Sequence, residues 1–283
     1  MPISWMWLIL FVILLTLSFY FFYPEIENTF VFYPDHTLES VPADWALDYE
    51  DVFFEARDRT RLHGWFFPLP GKAPTILFCH GNAGNISHRI DNVKKLLDYG
   101  LQVFIYDYRG YGRSDGTPSE KGIYHDGLAA YDYLVEQRKI PPGRIIPFGR
   151  SLGAAVAIEI AVKREVRSLI IESAFTSTKE MAKQMLLFQL ISPFIPPNYN
   201  NLKKIKDITV PKLIIHGEND SLIPFSMGKR LYHAAGAPKY FFPIQRAGHN
   251  DTYVVGGRKY FEGLAGFAKK AKTNAHDPPE FGK

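Results

Sequence analysis

Three segments between Arg144 and Ala161 decide how the chain reads: an apolar run of Ile145, Ile146, Pro147 and Phe148, the pentapeptide Gly149-Arg150-Ser151-Leu152-Gly153, and an alanine-rich stretch from Ala154. G-x-S-x-G between a β-like run and a helix-competent run is the spacing of a nucleophile elbow, a sharp turn that points a serine hydroxyl outward at a helix N-terminus. Glycines at the two flanking positions let strand and helix close around it. The pentapeptide alone is common by chance, so the flanking strand and helix supply its weight. Pro147 lacks an N–H, so ladder pairing is expected to end just before the turn.

The whole chain suits such an element. At 283 residues it holds one α/β domain of ordinary size and an appendage. With 46% hydrophobic and 22% charged residues it reads as folded rather than disordered. A net charge of +4, spread along the chain, gives no argument for a nucleic-acid partner, and none is expected. Cys79 is the single cysteine, so no intrachain disulfide forms. It lies in an apolar run without a cationic neighbour and reads as a buried hydrophobe, not a nucleophile.

Ile3 to Tyr23 carries no charge and is long enough for a hydrocarbon core of about 30 Å, which predicts a transmembrane helix rather than a shorter, cleaved signal. Trp5, Trp7, Tyr20 and Tyr23 read as interfacial aromatics. The expected layout is an anchor at 1–23, an acidic connector at 24–50, a main domain at 51–270 and a basic tail at 271–283. Within the main domain an insertion covers about 173–210. The main domain is expected on the side opposite the N-terminus, since the first arginine after the span is Arg57. Sequons at Asn85, Asn219 and Asn250 fall in loops near the expected site, where glycans would block it.

Along the main domain, Asp51 to Ala56 and Leu62 to Phe67 read as a hairpin. Thr75–Cys79, Gln102–Tyr108, Arg144–Phe148, Leu169–Ile171, Lys212–Ile215 and Tyr240–Ile244 read as further strands, most of them followed by helix-competent segments. The best marked of those helices runs from Pro118 to Gln137, with a capping box at Thr117 to Glu120 and proline in its first position. Alternating strands and helices predict an α/β fold: a mainly parallel central sheet covered on both faces and entered through an antiparallel hairpin. One connection is long. Glu172 to Val210 carries a possible helix, Thr178 to Ile191, with Met181, Met185, Leu186, Leu187, Phe188 and Leu190, then a proline-rich turn around Phe194 and Ile195. It reads equally as a lid over the site and as the buried face of a sheet-covering helix.

A serine hydroxyl is a weak nucleophile at neutral pH, so Ser151 needs a base and an acid that orients the base. His249 follows the strand ending at Ile244, and Asp220 follows the strand ending at Ile215. In a parallel sheet such loops gather at the carboxyl edge. Glu218 and Glu172 are competing candidates for the acid. The backbone amides of Asn82 and Leu152 are candidate donors to an oxyanion, one after the Cys79 strand and one after the nucleophile. Met181, Met185, Phe188 and Phe194 are candidate substrate-binding side chains. No residue pattern calls for a metal or an organic cofactor.

Taken in order, His80-Gly81-Asn82-Ala83-Gly84-Asn85, Tyr106 to Ser114, the elbow, and the Asp220 and His249 loops resemble the α/β-hydrolases. More narrowly they resemble the membrane-anchored group related to the fungal bud-emergence hydrolase and to animal α/β-hydrolase domain proteins. The resemblance covers about 51–268. It implies a serine hydrolase of esters or thioesters working through an acyl-enzyme, with Asp107 and Arg109 at structural positions. A lipid-like or other small acyl substrate is expected, held near the bilayer by the anchor. Two alternatives stand beside this: a serine peptidase of prolyl oligopeptidase type, and a non-catalytic interaction protein tethered to the membrane.

Overall fold

The computed structural model describes residues 2–185 and 188–270. Two compact units divide at Tyr33 and Pro34. The first is a single helix, α1 (Pro2–Val31), whose apolar side chains from Trp5 onward are mostly exposed. It runs past Tyr23 through Pro24, so the stretch expected as connector begins as helix. Proline forfeits one helical bond but leaves the turns on either side intact. Tyr23 Oη bridges that point by donating to Glu27 Oε1 at 2.9 Å.

In the second unit the strands are β1 (Glu50–Glu55), β2 (Arg61–Phe67), β3 (Thr75–Cys79), β4 (Gln102–Tyr106), β5 (Ile145–Arg150), β6 (Leu169–Glu172), β7 (Lys212–Gly217) and β8 (Lys239–Ile244). They form one sheet in the order β8-β7-β6-β5-β3-β4-β2-β1. All neighbours from β8 to β4 are parallel, and β2 joins antiparallel to both β4 and β1. The α/β-hydrolase architecture and its antiparallel entry hairpin are thus as expected. β3 to β7 are buried along their whole length, which is why they read as unbroken apolar runs. β1 sits at the edge and alternates exposed and buried residues.

The remaining helices are α2 (Ile90–Asp98), α3 (Glu120–Glu136), α4 (Leu152–Lys163), α5 (Thr178–Gln184), α6 (Asn201–Lys204), α7 (Phe225–Ala234) and α8 (Thr252–Lys270). On one face Ile90, Val93 and Leu96 of α2 pack with Phe261, Leu264 and Phe267 of α8 over Ile76, Phe78, Ile146 and Phe148. α3 packs against α4.

One local expectation holds and two change. β5 runs through Pro147 to Arg150, paired with β3 as far as Gly149 and with β6 from Phe148, so the ladder ends just before the turn at Ser151. Ile145 O accepts from Arg167 N, so Pro147, two residues on, turns its missing donor toward the same side, one step before the β6 pairing starts. The loss is one bond rather than a strand end. The α3 cap is Ser119, whose Oγ accepts from Gly122 N at 3.1 Å, not Thr117. The insertion helix ends at Gln184, where Met185 turns extended. Leu186, Leu187 and the basic tail at 271–283 lie outside the described residues.

Candidate active site

Ser151 occupies the turn between β5 and α4 with φ 54° and ψ −116°, a conformation that costs a non-glycine residue about 1–3 kcal/mol. The turn is locked from several sides. Ser151 N donates to Glu172 O at 2.9 Å. A side chain at Gly149 would collide with the Gly153 carbonyl, and one at Gly153 with the Cys79 carbonyl, so close backbone approach accounts for both glycines. The serine is buried at the carboxyl edge of the sheet.

The loops after β7 and β8 are zipped together. Glu218 N donates to Ile244 O at 3.0 Å and Asn219 N to Ala247 O at 2.9 Å. Gly217 permits this, since a Cβ there would stand 2.5 Å from the carbonyls of Ala247 and Gly248. Asp220 Oδ1 accepts from Leu222 N at 3.0 Å and Ile223 N at 2.8 Å, which fixes the carboxylate. Its Oδ2 lies 2.8 Å from His249 Nδ1, and His249 Nε2 lies 3.1 Å from Ser151 Oγ. Burial pushes the Asp220 carboxyl up, but bonds from His216 and His249 outweigh it and hold the group well below the usual carboxylate range. An ionised Asp220 accepts from Nδ1–H, which leaves Nε2 as the acceptor facing the serine.

Beside the serine runs the loop after β3. A Cβ on Gly81 would lie 3.7 Å from Ser151 Cβ. Three successive carbonyls of this loop are engaged: Tyr108 Oη donates to His80 O at 2.9 Å, His80 Nδ1 lies 2.7 Å from Gly81 O, and Tyr111 Oη donates to Asn82 O at 2.7 Å. His80 is fully buried and its pKa is pushed down to about 3, chiefly by that burial, so it stays neutral. Leu152 opens α4, and its N–H belongs to the first turn, which has no intrahelical acceptor. The positive end of that helix faces the serine. The geometry can therefore pass a proton from hydroxyl to imidazole with backbone donors close by.

The competing acids take other positions. Glu218 is exposed. Glu172 is buried and carries Arg150 Nε at 3.1 Å, Thr252 Oγ1 at 2.5 Å and Tyr260 Oη. Arg109 bonds Asp126 at 2.7 Å and Asp58 at 2.8 Å, and Asp107 accepts from Ile86 N at 3.0 Å, so both act as struts of their loops. Cys79 is buried and its thiol is pushed up to about 12, chiefly by that burial. Among the described residues no group of three or more His, Cys, Asp or Glu side chains is disposed to hold a metal ion.

The insertion forms a separate region. Glu180 pairs with Arg230 of α7 at 2.9 Å, and Tyr199 N donates to Glu120 of α3 at 2.6 Å. Met181 and Phe188 are half-buried, whereas Met185, Phe194 and Leu190 are 46%, 65% and 89% exposed, so this is not the buried face of a sheet-covering helix. Sequence reasoning missed Tyr108, Tyr111, Gly217 and Arg150. The tyrosines were visible as an aromatic-rich run after β4; the others carry no local signal.

Residues 71–203 match the family described as serine aminopeptidase, S33. The α/β hydrolase domain-containing protein WAV2 of Arabidopsis thaliana is 36% identical over 250 residues, covering 81% of each chain. Protein bem46 of Schizosaccharomyces pombe is 32% identical over 278 residues, covering 93% of this chain and 91% of its own. The Pyrococcus furiosus esterase Pf2001 shares the fold, with a TM-score of 0.72 at 22% identity over 84% of this chain and 99% of its own. The matched family and these relatives mark the chain as a hydrolase. The chain belongs to the α/β-hydrolase family, in the group that includes bem46 and WAV2.

Proposed function

We propose that the chain is a serine hydrolase that cleaves carboxylic ester or thioester bonds of lipid-like acyl substrates. The observation that carries this is the bonded series Ser151 Oγ, His249 and Asp220, with the serine on a strained elbow. His249 Nε2 takes the hydroxyl proton as Oγ attacks the acyl carbon, and the amides of Asn82 and Leu152 receive the oxyanion. The imidazolium then protonates the departing alcohol or thiol. Water, deprotonated by the same imidazole, releases the acid and restores the serine. The exposed apolar residues of the insertion, Met185 and Phe194, with Met181 and Phe188 beside them, suit an acyl chain. α1 would hold the domain at a bilayer, raising the local concentration of membrane-derived substrate, with the domain on the far side from the N-terminus. Asn85 is fully buried, with Nδ2 donating to the carbonyls of Asp35 and Thr37, so the folded domain has no room for a glycan there.

Labelling with a fluorophosphonate probe, read by peptide mass spectrometry, tests the reading: an adduct on Ser151 supports it, and folded protein without one favours a non-catalytic role. The aminopeptidase description of the matched family favours a second reading, amide hydrolysis. Aminoacyl p-nitroanilides turned over faster than p-nitrophenyl esters would select it.

A further inference from the structure

The variable position of the elbow is occupied by Arg150, whose side chain is buried beside the serine it precedes. Its Nε pairs with Glu172 Oε1 at 3.1 Å, and its Nη2 donates to the backbone carbonyl of His249 at 3.0 Å. Glu172 is itself fixed. Its main-chain carbonyl accepts from Ser151 N, and its carboxylate accepts from Thr252 and Tyr260, which stand on either side of a kink at Gly257 in the helical stretch that follows His249. One guanidinium thus spans from the nucleophile's own turn to the main chain of the residue bearing the base.

We infer that Arg150 is a positioning residue that sets the separation of Ser151 Oγ and His249 Nε2, with Glu172 as the buried anchor of its guanidinium. This rests on the serine-hydrolase reading above. Asp220 controls which way the His249 ring faces through Nδ1, but the ring is carried on a loop whose backbone sets how near Nε2 comes to the serine. Ala247 is tied by its N to Ile244 O at 3.3 Å and by its O to Asn219 N at 2.9 Å, and Gly248 N donates to Asp251 Oδ1 at 2.6 Å, while at His249 itself the main chain is held by the Arg150 contact. The planar fork of arginine serves a carboxylate and a carbonyl at once, and a lysine ammonium on a flexible stem does not reproduce it. A shift of about 1 Å between reacting groups costs on the order of 100-fold in rate.

The test uses the full chain in detergent, with p-nitrophenyl butyrate as substrate and fluorophosphonate titration to count active sites. Arg150→Lys keeps a cation against Glu172 and should fold with a melting temperature near wild type. Its kcat per titrated site should fall by about 30- to 300-fold while KM moves less than about threefold. Arg150→Gln with Glu172→Gln replaces the ion pair by neutral amides, avoids an unpaired buried charge, and should show the same split. Arg150→Lys turning over within threefold of wild type would overturn the inference, because neutralising Glu172 would then be all that Arg150 does. Failure of wild-type protein to label at Ser151 or to turn over any ester would instead overturn the hydrolase reading, and this inference with it.

Discussion

Glu172 closes β6 and Asp220 follows the end of the neighbouring β7, and both are buried, yet they meet the His249 loop from different sides. The carboxylate of Asp220 reaches the imidazole ring at 2.8 Å. That of Glu172 bonds Thr252, Tyr260 and the guanidinium that holds the backbone of the His249 loop. The side chain of Asp220 follows a tight turn in which Leu222 and Ile223 donate to it, so it projects toward the loop after β8. Glu172 still lies in its strand, and its side chain points toward α8. Two carboxylates of similar chemistry and burial thus take different partners from the direction of their last bond.

Several experiments would break or sharpen that contrast. Replacing Ser151 or His249 by alanine should lower kcat by about 10⁶-fold with the fold retained, and the double variant should lose no more, because such residues act as one unit. Additive losses would dissolve the unit. Asp220→Asn should cost about 10⁴-fold by presenting the wrong tautomer of the imidazole, whereas Glu172→Gln should cost about tenfold. The opposite ranking would exchange their tasks. A depressed carboxyl adds stability above its unfolded pKa of about 3.9 and loses it as pH falls toward the folded value. The part of the stability difference between wild type and Asp220→Asn that comes from this carboxyl, measured as urea midpoints, should therefore be lost as pH falls below about 4.

Gly217→Ala should act on Asp220 and His249 together and leave Glu172 alone. Its methyl group meets two carbonyls of the His249 loop at 2.5 Å, and parting the loops should lower kcat by about 100-fold. An unchanged kcat would show that the loops do not need this spacing. The smallest effect concerns the insertion. Across p-nitrophenyl esters, each added methylene should raise kcat/KM by about fourfold, the equivalent of 0.8 kcal/mol, until the pocket is full. Replacing Phe188 and Phe194 by serine should flatten the series while leaving acetate turnover intact. A series unresponsive to those changes would detach the insertion from the substrate.

The positions of the strands, the elbow at Ser151 and the loops bearing Asp220 and His249 were legible in the chain, because each is a local signal. Unbroken apolar runs mark strands buried on both faces, and glycines at fixed spacing mark a turn that nothing larger fits. Alternation of strands and helices then implies a parallel sheet whose loops converge. Tertiary structure decided everything that depends on direction or on partners distant in sequence. It brought the carboxylate of Asp220, and not that of Glu172, to the imidazole of His249, carried the β5 ladder through Pro147, and exposed the side chains of Met185 and Phe194. It also gave Arg150 its contacts with Glu172, 22 residues away, and with His249, 99 residues away. Periodicity reports which face of an element is buried, but whether two side chains meet is set by the packing of whole strands and helices, and no local pattern encodes that.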